Sequence, residues 1–221
     1  MKCLFLDFDG TIADSLSVWR AVYDNFLTLC GKSGSVEEFE SMNGFFLPRI
    51  VSELQHKHNL SADFNALHGL YEDLIRRHFK GVSVFSDFLP FLQRVKAAGI
   101  SCWIVSAASG DLISSFSKDR GFYNMIDGFV TAENCLKGKP EPDIFLAALS
   151  SAGVNRKKDV IVVEDSLNGL LSAQRAGLQA IQIDNYGDRP KMAPAFCRVS
   201  SFNELLERIK EIWWQNRLHR F

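Results

Sequence analysis

Cys3-Leu4-Phe5-Leu6-Asp7-Phe8-Asp9-Gly10-Thr11 is the stretch on which the reading of this chain turns. An apolar run broken only by Asp7 and stopped at Asp9-Gly10 predicts a buried strand from Cys3 to Phe8 that runs into a turn. A carboxylate inside such a run is costly unless it is paired or bound to a metal, so Asp7 asks for a chemical reason.

Working outward, three later runs have the same form. Ile100 to Val105 leads to Ser106, Val160 to Val163 leads to Glu164 and Asp165, and Ala180 to Ile183 leads to Asp184. Helical periodicities precede them, Leu89-Leu92-Val95 before Gly99 and Leu170-Leu171-Ala173-Ala176 before Gly177, with glycine where a helix C-terminus favours it. Strand and helix alternate, which predicts an α/β protein with a mostly parallel sheet. From Ser15 to Val82 the spacing is helical throughout, with Trp19-Val22-Tyr23-Phe26, Ile50-Leu54 and Leu67-Leu70-Tyr71-Leu74. The expected organisation is a discontinuous core of residues 1–14 and 83–221 with a helical insertion over 15–82, jointed near Asp14-Ser15 and Gly81-Val82-Ser83. Phe202-Leu205-Leu206-Ile209-Ile212-Trp213 predicts an amphipathic helix packed on the sheet.

The length of 221 residues exceeds the roughly 150 typical of one domain, which suits a domain carrying an insertion. With 47% hydrophobic and 23% charged residues the composition supports a packed core and argues against disorder. Lys and Arg number 25 against 26 Asp and Glu, and a net charge of −1 offers no general attraction for nucleic acid or an anionic membrane. No run of 18 apolar residues occurs, and the apolar run at Cys3 is too short for a secretion signal. Five scattered cysteines without a Cys-x-x-Cys pair fit reduced thiols, so a cytoplasmic protein is expected, without nucleic-acid or membrane partners.

In an open parallel sheet, ligands bind beyond the carboxyl ends of the strands. That rule gathers Asp7, Asp9, Ser106, Glu164 and Asp165 at one site. Four converging carboxylates call for a shared cation, and hard oxygen donors suit Mg²⁺. Asp7 and Asp9, two apart, are expected on one side of the strand, one as nucleophile and the other as general acid and base. Lys139, held between Gly138 and the prolines of Pro140-Glu141-Pro142, would answer a phosphate charge from a stiff loop. Plainer readings stand beside these. Asp9-Gly10 can be a turn, Ser106 a helix cap, Glu164-Asp165-Ser166 a capping box, and Lys139 a solvated lysine. His56, His58, His68, His78 and His219 lack ligand spacing, so a histidine metal site is not expected. Trp213-Trp214 with Arg217, His219 and Arg220 reads as packing rather than a nucleic-acid surface.

Taken together, Asp7-Phe8-Asp9-Gly10-Thr11, Ser106 after Trp103-Ile104-Val105, Lys139-Pro140-Glu141-Pro142-Asp143, and Val163-Glu164-Asp165-Ser166 with Asn168-Gly169 resemble the four motifs of the haloacid dehalogenase superfamily, in its order. The chain is most similar to the branch of β-phosphoglucomutase and phosphoglycolate phosphatase-like enzymes. The resemblance implies a Rossmann-like core, a helical cap over 15–82, and Mg²⁺ as cofactor. It implies that Asp7 forms an aspartyl-phosphate and that Asp9 protonates the leaving alcohol, then activates water. Mg²⁺ would be held by Asp7, the Asp9 carbonyl, Asp165 and Glu164, directly or through water, and Ser106, the Ala107 amide and Lys139 would hold the phosphoryl oxygens. Asp9 excludes the dehalogenase branch. Arg49, in Gly44-Phe45-Phe46-Leu47-Pro48-Arg49, lies near the family's specificity loop and is expected either to bind a second anionic group or to be a surface arginine. Val18-Trp19-Arg20 stands where the mutase carries a cap histidine, which favours hydrolysis. Phe85-Ser86-Asp87-Phe88 replaces the Pro-Gly pair common before the return to the core. The expected protein is a monomeric Mg²⁺-dependent phosphatase of a small phosphorylated metabolite whose cap closes over the site. The alternatives are a sugar phosphomutase and a catalytically idle binding protein with the same fold.

Overall fold

The structure is a computed structural model that describes residues 2–187 and 189–218, with side chains described as far as Ile212. Trp213, Trp214, Arg217, His219 and Arg220, read above as packing, therefore lie outside the described side chains. The chain starts with β1 (Cys3–Leu6) and continues through four helices, α1 (Leu16–Leu29), α2 (Val36–Ser41), α3 (Leu47–Lys57) and α4 (Phe64–His78). Helix and strand then alternate: α5 (Phe88–Ala97), β2 (Ser101–Val105), α6 (Gly110–Asp119), β3 (Gly128–Val130), α7 (Asp143–Ser151), β4 (Val160–Glu164), α8 (Leu167–Arg175) and β5 (Gln179–Ile183). The short β6 (Cys197–Val199) and the helix α9 (Phe202–Leu218) complete the described chain.

The strands form one sheet in the order β3-β2-β1-β4-β5-β6, and every neighbouring pair is parallel. The α/β class is as the sequence predicts. Strand order reverses between β1 and β4, and ligands of such sheets bind in the crevice outside the strand ends at that point. Side chains of a strand alternate between faces, and here each face has its own core. Leu4, Leu6, Ile161 and Val163 pack with α5, α6 and α9, whereas Phe5, Val160 and Val162 pack with α7 and α8. A strand buried on both sides reads as an unbroken apolar run, which is why these were visible in the sequence.

β1 ends two residues earlier than expected. Asp7 N–H still donates to Val163 O at 2.9 Å, but Phe8 O then accepts both Ile12 N–H and Ala13 N–H, each at 2.9 Å, and the chain turns. β3 and β6 were not anticipated, because three residues are too few for a pattern to stand out.

No strand interrupts the helices from Leu16 to His78. In α4 the buried positions are Leu67, Tyr71, Leu74 and Ile75, one stripe at helical spacing. Asp63 caps its first turn by accepting Asn65 N–H at 2.9 Å, and Arg76, Arg77 and His78 complement the dipole at its end. The segments entering and leaving this helical group run side by side: Ala13 bridges Val84 in antiparallel fashion, and Asp14 N–H donates to Ser83 O at 2.9 Å. Its apolar side chains merge with those of the sheet, through Phe8, Phe79 and Phe116, into one cluster. No helix among the described residues is long and apolar enough to cross a membrane.

Candidate active site

Register places the site. Leu6 pairs with Ile104 on one side and with Val163 on the other, so Asp7, Val105 and Glu164 stand level, with Ser106 and Asp165 one residue further out. Lys139, 1% exposed, reaches in from the loop before α7 and donates to Asp7 Oδ1 and Glu164 Oε1. It is not a solvated loop lysine. Glu164 Oε2 accepts both the backbone N–H and the hydroxyl of Ser166, at 3.0 and 2.9 Å. Gly169 makes room for that carboxylate, since a Cβ there would stand 1.8 Å from Glu164 Oε1. Ser166 also caps α8 by accepting Gly169 N–H at 3.1 Å. The cap of α6 is Ser109, which accepts Leu112 N–H; Ser106 Oγ instead accepts Ala108 N–H at 3.1 Å.

Asp7, Asp9, Ser106, Ala107 and Asp165 line one cavity of about 970 Å³ between the sheet and the helices α1 to α4. Asp9 Oδ1 accepts hydrogen bonds from Ser15 Oγ at 2.7 Å and from the Trp19 indole at 2.6 Å. Burial raises the Asp9 pKa despite those two donors, which keeps a proton closer to hand than on an open aspartate. Asp7 and Asp165 are raised too, by burial first and then by the neighbouring Glu164 charge, which Lys139 at Asp7, and Arg189 followed by Lys139 at Asp165, only partly offset. Burial alone would lower Lys139, but the charges of Asp7 and Glu164 outweigh it and hold the ammonium protonated.

Asp7, Glu164 and Asp165 offer carboxylate oxygens that lie within 4.8 Å of one another. This donor set fits a hard divalent cation: all oxygen, buried, and with three carboxylates against the two cations Lys139 and Arg189. Gly10, at φ +73°, belongs to the same fit, because a Cβ there would come within 2.4 Å of Asp165 Oδ2.

Several partners at the site were not foreseen. Arg189 donates to the Asp165 carbonyl at 2.8 Å and to Asp165 Oδ2 at 3.3 Å. Asn185 Nδ2 donates to Gly10 O and Thr11 O at 3.1 and 3.0 Å, and the Tyr186 hydroxyl donates to Asp14 Oδ1 at 2.8 Å. The segment after β5 thus braces both the Asp9–Asp14 loop and Asp165. Asp184 opens it as a polar strand end, and following the strand-end rule one strand further would have found it. Asn168 Nδ2 donates to Ser41 O and Asn43 O at 3.2 and 2.7 Å, tying α8 to the loop before α3. Arg49 lies outside the residues that line the cavity. Its guanidinium lies 3.6 Å from the Phe45 ring centroid and pairs with Glu53 at 3.7 Å, with the side chain 45% exposed. A cation–π contact and an i,i+4 ion pair hold it at the surface.

A family model described as haloacid dehalogenase-like hydrolase matches residues 4–183. The chain belongs to this family. Among relatives of this haloacid dehalogenase-like hydrolase, hexitol phosphatase A of Escherichia coli (strain K12) is 27% identical over 200 residues, 87% of this chain and 88% of the relative. A β-phosphoglucomutase of Mycobacterium bovis is 26% identical over 211 residues, 82% of this chain and 79% of the relative. The solved β-phosphoglucomutase of Clostridium difficile superposes with a TM-score of 0.85 at 20% identity, covering 99% of each chain, a likeness of fold.

Proposed function

We propose that this hydrolase is a Mg²⁺-dependent phosphatase of a small phosphomonoester. Residues 1–14 and 83–221 would act as catalytic core and 15–82 as cap. The observation that carries this reading is the buried cluster of Asp7, Lys139, Glu164 and Asp165 opening, with Asp9, on one cavity.

In the first step an Asp7 oxygen attacks phosphorus, the ester P–O bond breaks, and Asp9 gives its proton to the leaving alcohol. In the second, Asp9 takes a proton from water as the water oxygen attacks phosphorus, which frees phosphate and restores the Asp7 carboxylate. The raised Asp9 pKa supports both tasks. Lys139, the Ser106 hydroxyl and the Ala107 amide would hold the transferring oxygens. Asp7, Asp165 and the Asp9 carbonyl would hold Mg²⁺; Glu164, engaged by Lys139 and Ser166, would contribute through water. The ion supplies positive charge that lets an anionic phosphate approach an anionic nucleophile. Five free thiols fit a reducing compartment such as the cytoplasm.

Phosphate release from a panel of small esters, with Mg²⁺ and with chelator, tests the reading. Metal-dependent release that falls at least about 10³-fold in Asp7→Asn is the expected result, and unchanged release in that variant overturns it. The relative from Mycobacterium bovis favours a second reading, a sugar phosphomutase, for which isomerised sugar phosphate would outpace free phosphate. Trp19 speaks against it, since its indole occupies Asp9 where a mutase needs a residue to steer the sugar.

A further inference from the structure

Arg189 meets Asp165 from a frame of its own. Its backbone N–H donates to Asp184 Oδ2 at 2.9 Å and its Nε lies 3.6 Å from Asp184 Oδ1. Asp184 is fully buried and is held in turn by Arg198 at 2.6 Å, so the guanidinium has a fixed support behind it. In front, Nη1 donates to the Asp165 carbonyl at 2.8 Å, and Nη1 and Nη2 each donate to Asp165 Oδ2 at 3.3 Å. Gly10 crowds the same oxygen, since a Cβ there would stand 2.4 Å from Oδ2. Among the described residues, all the hydrogen bonds accepted by the Asp165 carboxylate fall on Oδ2, which leaves Oδ1 open.

A carboxylate with one oxygen engaged offers a cation the other. Mg²⁺ is small and demands near-octahedral geometry at about 2.0–2.1 Å, which one carboxylate oxygen satisfies, because the two oxygens of a carboxylate stand too close together for neighbouring octahedral positions. Ca²⁺ is larger, takes about 6–8 oxygens and accepts a carboxylate through both of them. We propose that Arg189 is a positioning residue that holds Asp165 to ligation through one oxygen and so makes the site prefer Mg²⁺ to Ca²⁺. The proposal rests on the phosphatase reading for the cation site and goes beyond it, to how that site tells one divalent ion from another. The Arg189 charge weakens two ions of equal charge alike, so the ratio of their affinities reports the geometry.

Calorimetry of the metal-free protein with Mg²⁺ alone and with Ca²⁺ alone reads the two Kd values without turnover. Wild type is expected to bind Mg²⁺ the more tightly. The Mg²⁺-to-Ca²⁺ affinity ratio is expected to fall at least about tenfold in Arg189→Met, which frees Oδ2. Arg189→Lys keeps the charge and loses the planar fork, and its ratio is expected to fall by a smaller factor. It also keeps the test open should Arg189→Met fold poorly, since a cation remains between Asp165 and Asp184. A wild type that prefers Ca²⁺, a folded Arg189→Met protein with the wild-type ratio, or an Arg189→Lys ratio equal to wild type overturns the proposal and leaves the phosphatase reading standing. A wild type that binds neither ion overturns the cation site and the proposal with it. Mg²⁺-dependent phosphate release, measured beside the calorimetry, tells the two failures apart.

Discussion

Lys139 carries the charge balance of the site. Two of its three donors go to Asp7 and Glu164, and both partners are buried with it. Lys139→Met would leave Asp7 and Glu164 without the cation they share, while Asp165 keeps Arg189, and removing one partner of a buried ion pair typically costs about 3–5 kcal/mol. The variant is expected to melt lower in chelator and to recover part of the loss on adding Mg²⁺, read by differential scanning fluorimetry. Its phosphate release is expected to fall about 10²–10³-fold, the size of effect found when one charge-stabilising donor is removed. Asp184 gives a pH prediction. Burial would raise its pKa, but the Arg198 hydrogen bond at 2.6 Å, the Arg189 N–H and the Arg189 charge outweigh it and hold the carboxyl below 3.8. A depressed folded pKa means stability that is fully present above 3.8 and lost as pH falls through the folded value. Asp184→Asn is therefore expected to be less stable than wild type by about 1–3 kcal/mol at pH 7 in urea unfolding, with the gap closing below pH 3.8. A gap that persists in acid would show that the charge is not its cause.

At the scale of elements, α8 lies against the end of β4 so closely that glycine is required. Replacing a helical glycine by alanine ordinarily stabilises by about 0.5–1 kcal/mol. At Gly169 the sign reverses, because the added methyl would meet the Glu164 carboxylate at 1.8 Å and α8 would have to move off the sheet. Gly169→Ala is expected to lower the melting temperature and weaken Mg²⁺ binding, whereas Gly69→Ala in α4, with nothing within 4 Å, is expected to stabilise. The link from Asn168 to the Ser41 and Asn43 carbonyls holds the loop before α3 against the core. Asn168→Ala is expected to speed amide exchange across residues 41–46 and to raise KM more than it lowers kcat, since it frees a wall of the cavity without touching Asp7. Exchange unchanged across that loop would rule out the tether.

For the whole molecule, a cation bound only by the folded state stabilises it by mass action. At a concentration of Mg²⁺ about 100 times its Kd the gain is about 2.7 kcal/mol. For a protein of this size that is about 5–10 °C in melting temperature, expected to vanish in Asp165→Asn. The sheet, its helical insertion and most of the site were legible because burial leaves a local mark. Strands covered on both faces are unbroken apolar runs, helices show their stripe, and Asp7 stands out as a charge within such a run. The three-residue β3 and β6 left too short a mark to read. Nothing local marked the grip of Arg189 on Asp165, of Asn185 on Gly10, or of Trp19 on Asp9, nor showed that Arg49 would stay at the surface. Asn185 and Gly10 are 175 residues apart in the chain, and their contact exists only because β1, β4 and β5 pack side by side. The sequence by itself determined the type of the longer elements and which of their apolar residues are buried, since these depend on neighbours a few positions away. Only the tertiary structure decided which polar side chains meet around the buried carboxylates, because those contacts depend on where the loops between packed elements come to rest.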